Sequence, residues 1–173
     1  IENARLLTEL RESLEYQTAT SDVLKVISRS TFDLTPVLQY VLDTAMRLCR
    51  AVQGSIFRLD GGVYRWAVGQ GLDPAYEEIE RTTLIQPGEG TVVGRAALRR
   101  QTVQILDAWD DPTYAAKDEA RITIARTMIG VPLLREGVHV GVIAMSRKVV
   151  EPFQDKEIEL VTTFADQAVI AIE

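Results

Sequence analysis

The sequence is poor in the side chains that most often carry chemistry. It has one cysteine, Cys49, and one histidine, His139. A single thiol excludes an intramolecular disulfide and every multi-cysteine metal site, and a lone imidazole leaves no partner for a zinc cluster. No Ser-His-Asp arrangement can be assembled around that one histidine. No apolar run approaches the ~18 residues of a membrane-spanning helix. Glu2, Arg5 and Glu9 stand where a signal peptide needs an apolar stretch. Basic residues are outnumbered, 19 against 25 acidic, for a net charge of −6, which argues against a nucleic-acid binder with its basic footprint. Neither a membrane nor a metal or other cofactor is called for. What remains is an ordinary soluble composition, 46% apolar and 25% charged over 173 residues, enough for one domain burying roughly 70% of its unfolded surface. An unnatural first residue, Ile1, and the single thiol suggest a piece of a larger cytoplasmic protein.

The first thirty residues form the first unit. They carry no Gly or Pro up to residue 29, and Leu7, Leu10, Leu14, Gln17, Ser21 and Leu24 step by three and four. That heptad rhythm predicts a helix that pairs as a coiled coil, with a weak polar seam at Gln17–Ser21. Residues 31–173 form the second unit. Thr35 and Pro36 start a helix whose apolar face, Leu38 to Cys49, ends near Arg50. Ser55–Leu59 and Val63–Val68 read as a hairpin around Asp60-Gly61-Gly62. Asp73-Pro74 opens a short polar helix, and Thr91 caps another that runs to Arg100. Val103 and Ile105 alternate as a strand. Residues 128–135 and 138–147 are strands joined at Glu136-Gly137, and a last helix runs from about Asp155 to the end. Strands and helices do not alternate as βαβ units, so the fold class is α+β with an antiparallel sheet.

Several stretches taken together resemble the GAF domain family. Met128-Ile-Gly-Val-Pro-Leu-Leu-Arg-Glu-Gly-Val-His-Val-Gly-Val-Ile-Ala-Met145 is similar to its paired strands. Phe153-Gln-Asp-Lys-Glu157 and Phe164-Ala-Asp-Gln-Ala168 are similar to its final helix. Gly88-Glu-Gly90, Gly94 and Val103–Asp107 resemble its middle. The resemblance implies a five- or six-stranded antiparallel sheet, with N- and C-terminal helices on one face and a lid segment over a ligand pocket on the other. It implies a regulatory sensory module of a cytoplasmic bacterial signalling protein, of the sensor histidine kinase type. A nucleotidyl cyclase regulatory domain, or a ligand-free dimerisation spacer, are the alternatives. The ends, Ile1-Glu-Asn-Ala-Arg5 and Ala171-Ile-Glu173, resemble the junction between tandem modules, so neighbouring GAF or output domains are expected in the parent chain. The resemblance also sets limits. Bilin attachment needs a cysteine in the 107–130 region, the family's methionine-sulfoxide reductases use several cysteines, and the Asn-Lys-Phe-Asp-Glu signature of cyclic-nucleotide binders is missing. The chain is therefore expected to be non-catalytic.

The candidate ligand site is the long, aromatic connection 107–126 and the strands beneath it. Trp109 and Tyr114 can stack on a flat ligand, and Arg121 or Arg126 can meet an anion unless Asp107, Asp110 or Asp111 takes them. Ile124 belongs to the same lid. By alternation Phe57, Trp66, Met128, Ala144 and Ser146 form the floor. Gly88-x-Gly90-x-x-x-Gly94 is either a loop feeding a helix or a set of N–H groups for an anion. The expected homodimer uses the terminal helices: Leu7, Leu10, Leu14 and Leu24 from the first, Val161, Ala165, Ala168 and Ile172 from the last. Cys49 reads as a buried structural thiol and His139 as a surface or edge residue.

Overall fold

A computed structural model describes residues 4–8, 10, 11 and 34–172. Residues 4–8, 10 and 11 are helical, as expected of the leader; Leu14 and Leu24 lie outside the described residues. Helix α1 spans Thr35–Cys49 and starts one residue earlier than the sequence suggests. Leu34 holds the N-cap position without a side-chain bond, and Pro36 sits in the first turn, where its missing N–H has no helical partner to lose. The helix stops at Arg50, which turns left-handed (φ 51°) and donates its N–H back to the last turn.

Strands β1 (Gln53–Asp60) and β2 (Val63–Gln70) form the expected hairpin, each strand extending beyond the expected 55–59 and 63–68. Helix α2 (Pro74–Thr82) opens on Asp73, whose carboxylate accepts the Ala75 N–H at 2.9 Å. Leu84–Ile85 follows as β3, an edge strand too short to show alternation. Helix α3 (Val92–Arg99) is capped by Thr91, whose hydroxyl accepts the Gly94 N–H at 3.0 Å. Then come β4 (Val103–Ile105), a one-turn helix α4 (Lys117–Ile122), β5 (Thr127–Arg135), β6 (Val138–Arg147) and α5 (Asp155–Ile172).

The six strands form one sheet in the order β3-β2-β1-β6-β5-β4, and every pairing is antiparallel. Pro132 lies opposite Val142 of β6 and beyond Met128–Gly130, where β4 pairs, so on the β4 side it has no ladder bond to lose. Alternation divides each strand between two cores. Ile56, Ile129, Val131, Ile143 and Met145 meet α1 and α5 on one face. Phe57, Met128, Val142 and Ala144 meet α3 and the 107–126 segment on the other. Entry into α5 is fixed by the expected staple: Phe153 and Ile158 pack in the first core, and Glu157 reaches back to accept the Gln154 N–H at 3.0 Å. Glu157 also receives Arg147 and Arg50, at 2.9 and 3.1 Å, which ties β6, α5 and the end of α1 together. Cys49 is fully buried there, and burial pushes its thiol up to about 12, the inert state expected of a structural cysteine.

Candidate functional site

On the sheet face away from α1 and α5 lies a cavity of about 180 Å³. Its floor is β1, β6 and the start of β5, through Ser55, Phe57, Met128, Ala144 and Ser146. Helix α2 supplies one wall through Tyr76, Ile79 and Glu80, and α4 with its flanks supplies another through Glu119, Ala120 and Thr123. The start of α3 and Tyr114 close the remaining side.

Five of the ten candidate pocket residues come together here: Phe57, Tyr114, Met128, Ala144 and Ser146. The other five do not line the cavity. Trp66 shares the floor's face but packs beside Gly69 under Arg81, whose guanidinium sits 4.9 Å from the ring centre. Its indole N–H makes no close hydrogen bond, although it is near enough to Glu80 to favour the charged carboxylate. Arg126 forms a bidentate pair with Asp107 at 3.0 and 2.7 Å and stacks 3.9 Å from the Trp109 ring centre, so both belong to the scaffold. Arg121 is more than half exposed, and its ion-pair partner among the described residues is Asp118, at 3.9 Å. Ile124 is half-exposed and holds a left-handed turn, φ 58°, at the end of α4.

The segment 107–126 is therefore a wall held by ion pairs rather than a lid offering arginines to a ligand. Its second clamp is Arg95, which the sequence did not single out. Arg95 is 5% exposed and bonds both Asp111 oxygens at 3.1 Å, while Glu89 approaches at 3.1 Å. Asp111 also accepts the Thr113 and Tyr114 N–H groups, and the Arg95 guanidinium holds its carboxyl far below the usual range. A basic residue at a helix position that faces the core was the available signal, since a buried guanidinium demands a carboxylate. Ala115 N–H to Gly90 O, at 2.8 Å, staples the segment to the loop before α3. That loop is folded against α3: a Cβ on Gly94 would lie 2.7 Å from the Gln86 carbonyl, so glycine is required by close backbone approach.

Of the cavity's titratable groups the sequence singled out Tyr114 but not Tyr76, Glu80 or Glu119. The Ser55 hydroxyl donates to Glu80 at 2.7 Å, yet burial holds the Glu80 carboxyl above its ordinary pKa. Burial pushes the Tyr76 and Tyr114 phenols far above theirs, and the charges of Glu80 and Glu119 add to the effect. Glu80 and Tyr76 sit on α2, a helix with no buried residue, and the sequence gives no hint that its polar face turns inward. His139, by contrast, is half-buried at the far end of β6, where burial and Arg100 lower its pKa, and it takes no part in the site. Among the described residues no group of His, Cys, Asp and Glu can hold a metal ion.

For the dimer surface, Leu7 and Leu10 are exposed, at 64% and 58%. Val161 and Ala165 instead point into the domain's own core, at 0% and 1%, and have no surface left for a partner. They face inward because α5 lays the +3/+4 stripe that carries them on β5 and α1. The side chains of Ala168 and Ile172 lie outside the described residues.

An antiparallel six-stranded sheet, with terminal helices on one face and a walled cavity on the other, defines a small sensory-module class of α+β domain. The chain belongs to the GAF domain family, whose model matches residues 33–173. Such domains are regulatory modules of signalling proteins. No curated protein matches the chain. The fold is similar to a GAF domain/HD domain protein from Geobacter sulfurreducens (TM-score 0.71, 16% identity, covering 81% of this chain and 92% of that one). It is similar to the GAF domain of a two-component sensor histidine kinase from Bacillus halodurans (TM-score 0.67, 17% identity, 81% and 93% covered). It is also similar to free methionine-R-sulfoxide reductase from Neisseria meningitidis in complex with its substrate (TM-score 0.66, 19% identity, 91% and 87% covered). At these identities the likeness is one of fold, and one of these relatives is an enzyme.

Proposed function

We propose that the chain is a non-catalytic sensory module of a cytoplasmic signalling protein, of the sensor histidine kinase type, and that a small molecule in the cavity biases its terminal helices. The carrying observation is the cavity itself: about 180 Å³, with a floor of central strands whose other face carries α1 and α5. On β1 and β6, Ser55, Phe57, Ala144 and Ser146 face the cavity while Ile56 and Ile143 face the helices. A ligand that shifts the floor acts on both cores, because packed interiors transmit strain. The cavity's lining residues include neither cysteine nor histidine, so a thiol or imidazole nucleophile there is not part of this reading. Exposed Leu6, Leu7 and Leu10 on the leader support pairing of two copies through that helix. The test is native mass spectrometry of purified protein with thermal unfolding against a metabolite panel. A retained or stabilising ligand, with hydrogen exchange slowed in α5 on binding, is the expected result.

The spacer reading has its own support. Arg126 and Trp109 serve the fold, which removes one of the two arginines the sequence offered to an anion. A panel that shifts nothing decides for the spacer.

A further inference from the structure

The cavity has a charge character opposite to the one its covering segment suggests. Its ionisable lining consists of Glu80, Glu119, Tyr76 and Tyr114, with no Lys, Arg or His among the lining residues. The neighbouring guanidiniums are committed elsewhere: Arg81 to the Trp66 ring, Glu77 and Glu78, Arg95 to Asp111 and Glu89, Arg126 to Asp107. Tyr114 is 9% exposed and lines the cavity. Tyr76, Glu80 and Glu119 line the same cavity, and the charges of Glu80 and Glu119 help to hold the Tyr114 phenol above its ordinary pKa. We infer that the cavity takes a small organic cation, a primary ammonium on a short apolar or aromatic body. The inference rests on the cavity being a ligand site.

The chemistry fits in three respects. An ammonium has three donors and no acceptor, and the two carboxylates and the two phenol oxygens supply acceptors. Phenol and phenyl faces attract a desolvated cation. Phe57, Met128 and Ala144 on the floor receive the apolar body. At about 180 Å³ the cavity is below the roughly 300–1,000 Å³ of sites for drug-sized ligands, so the body is one ring or a short chain. The rival feature is the start of α3, since Thr91, Val92 and Val93 also line the cavity and a helix N-terminus attracts anions. It carries about half an elementary positive charge. Two carboxylates in the same small volume outweigh it.

A matched series separates these readings: benzylamine, benzyl alcohol and benzoate, each at millimolar concentration, read by thermal unfolding and by amide chemical shifts of the 173-residue chain. Benzylamine should raise the melting temperature with concentration and shift amides at Tyr114 and Ala144, and benzoate should do neither. Glu80→Gln and Glu119→Gln should each weaken benzylamine binding by roughly tenfold or more, the loss of one charge-assisted bond. Both variants keep a neutral acceptor, and Glu80→Gln should be no less stable than wild type without ligand, which separates lost binding from lost folding. Benzoate binding as well as benzylamine, or benzylamine binding unchanged in both variants, overturns the cation assignment. If only the alcohol or the acid binds, the sensory reading stands and the cation class falls; if no member of the series binds, both fall.

Discussion

Glu80 and Asp111 are carboxylates that the fold treats in opposite ways. Glu80 is raised by burial, so the folded state holds its proton to higher pH than the unfolded chain does. The unfolded state then loses its proton first as pH rises, and stability falls from the ordinary carboxylate range upward. Glu80→Gln should therefore raise the urea midpoint of the ligand-free protein at pH 8 and leave it nearly unchanged at pH 4. A lower midpoint at pH 8 would show that Ser55 and Glu80 form a net stabilising pair. Asp111 is depressed by Arg95, so its contribution is present above the ordinary carboxylate range and is lost as pH falls below that range toward the depressed folded value. Asp111→Ala leaves Glu89 as the carboxylate on Arg95 among the described residues and should cost about 3 kcal/mol, the lower end for breaking a buried pair, by chemical denaturation at pH 7. Neither behaviour is legible from the sequence. An Asp in a run of acids and a Glu on a polar helix look alike until burial assigns their neighbours.

The 107–126 segment and α3 show what holds the cavity's walls. Arg126→Ala removes a bidentate pair and an aromatic stack at once, whereas Arg121→Ala removes one long surface contact. The first should lower the melting temperature clearly and the second should stay within about 0.5 kcal/mol of wild type. Equal effects would mean that the Asp107 clamp does not hold the segment. Helix α3 lies so close to β5 that a Cβ on Gly130 would meet the Val92 carbonyl at 2.8 Å. Gly130→Ala should cost about 1–3 kcal/mol through forced backbone displacement, measured by urea denaturation. Helix α2 is the contrasting element. It has no buried residue, and it still carries Tyr76 and Glu80 into the cavity wall.

At the level of the whole domain, two cores share one sheet, and the described leader residues belong to neither. Leu6, Leu7 and Leu10 are more than half exposed, an arrangement that a second copy would relieve. Changing Leu10 and Leu14 together to Lys should convert a dimer to a monomer in sedimentation and leave the thermal transition of the domain in place. A variant that sediments as wild type would remove the leader from the interface. The last helix does not share this role along its length, because Val161 and Ala165 are already consumed by the core over β5.

The sequence by itself determined the α+β class, the strand pairing of 128–135 with 138–147, and the caps at Asp73 and Thr91. Those features rest on period-two alternation and local hydrogen bonding, which neighbouring residues carry within a few positions. It also marked 107–126 as a segment with work to do. Only the tertiary structure decided what that work is. Arg126 meets Asp107 across 19 positions, Arg95 meets Asp111 across 16, and Ser55 meets Glu80 across 25. Which charges neutralise one another, and which are left facing the cavity, depends on distances set by the closed sheet. The linear pattern offered arginines to a ligand; the fold gave them to its own aspartates and left the cavity to Glu80, Glu119 and two tyrosines.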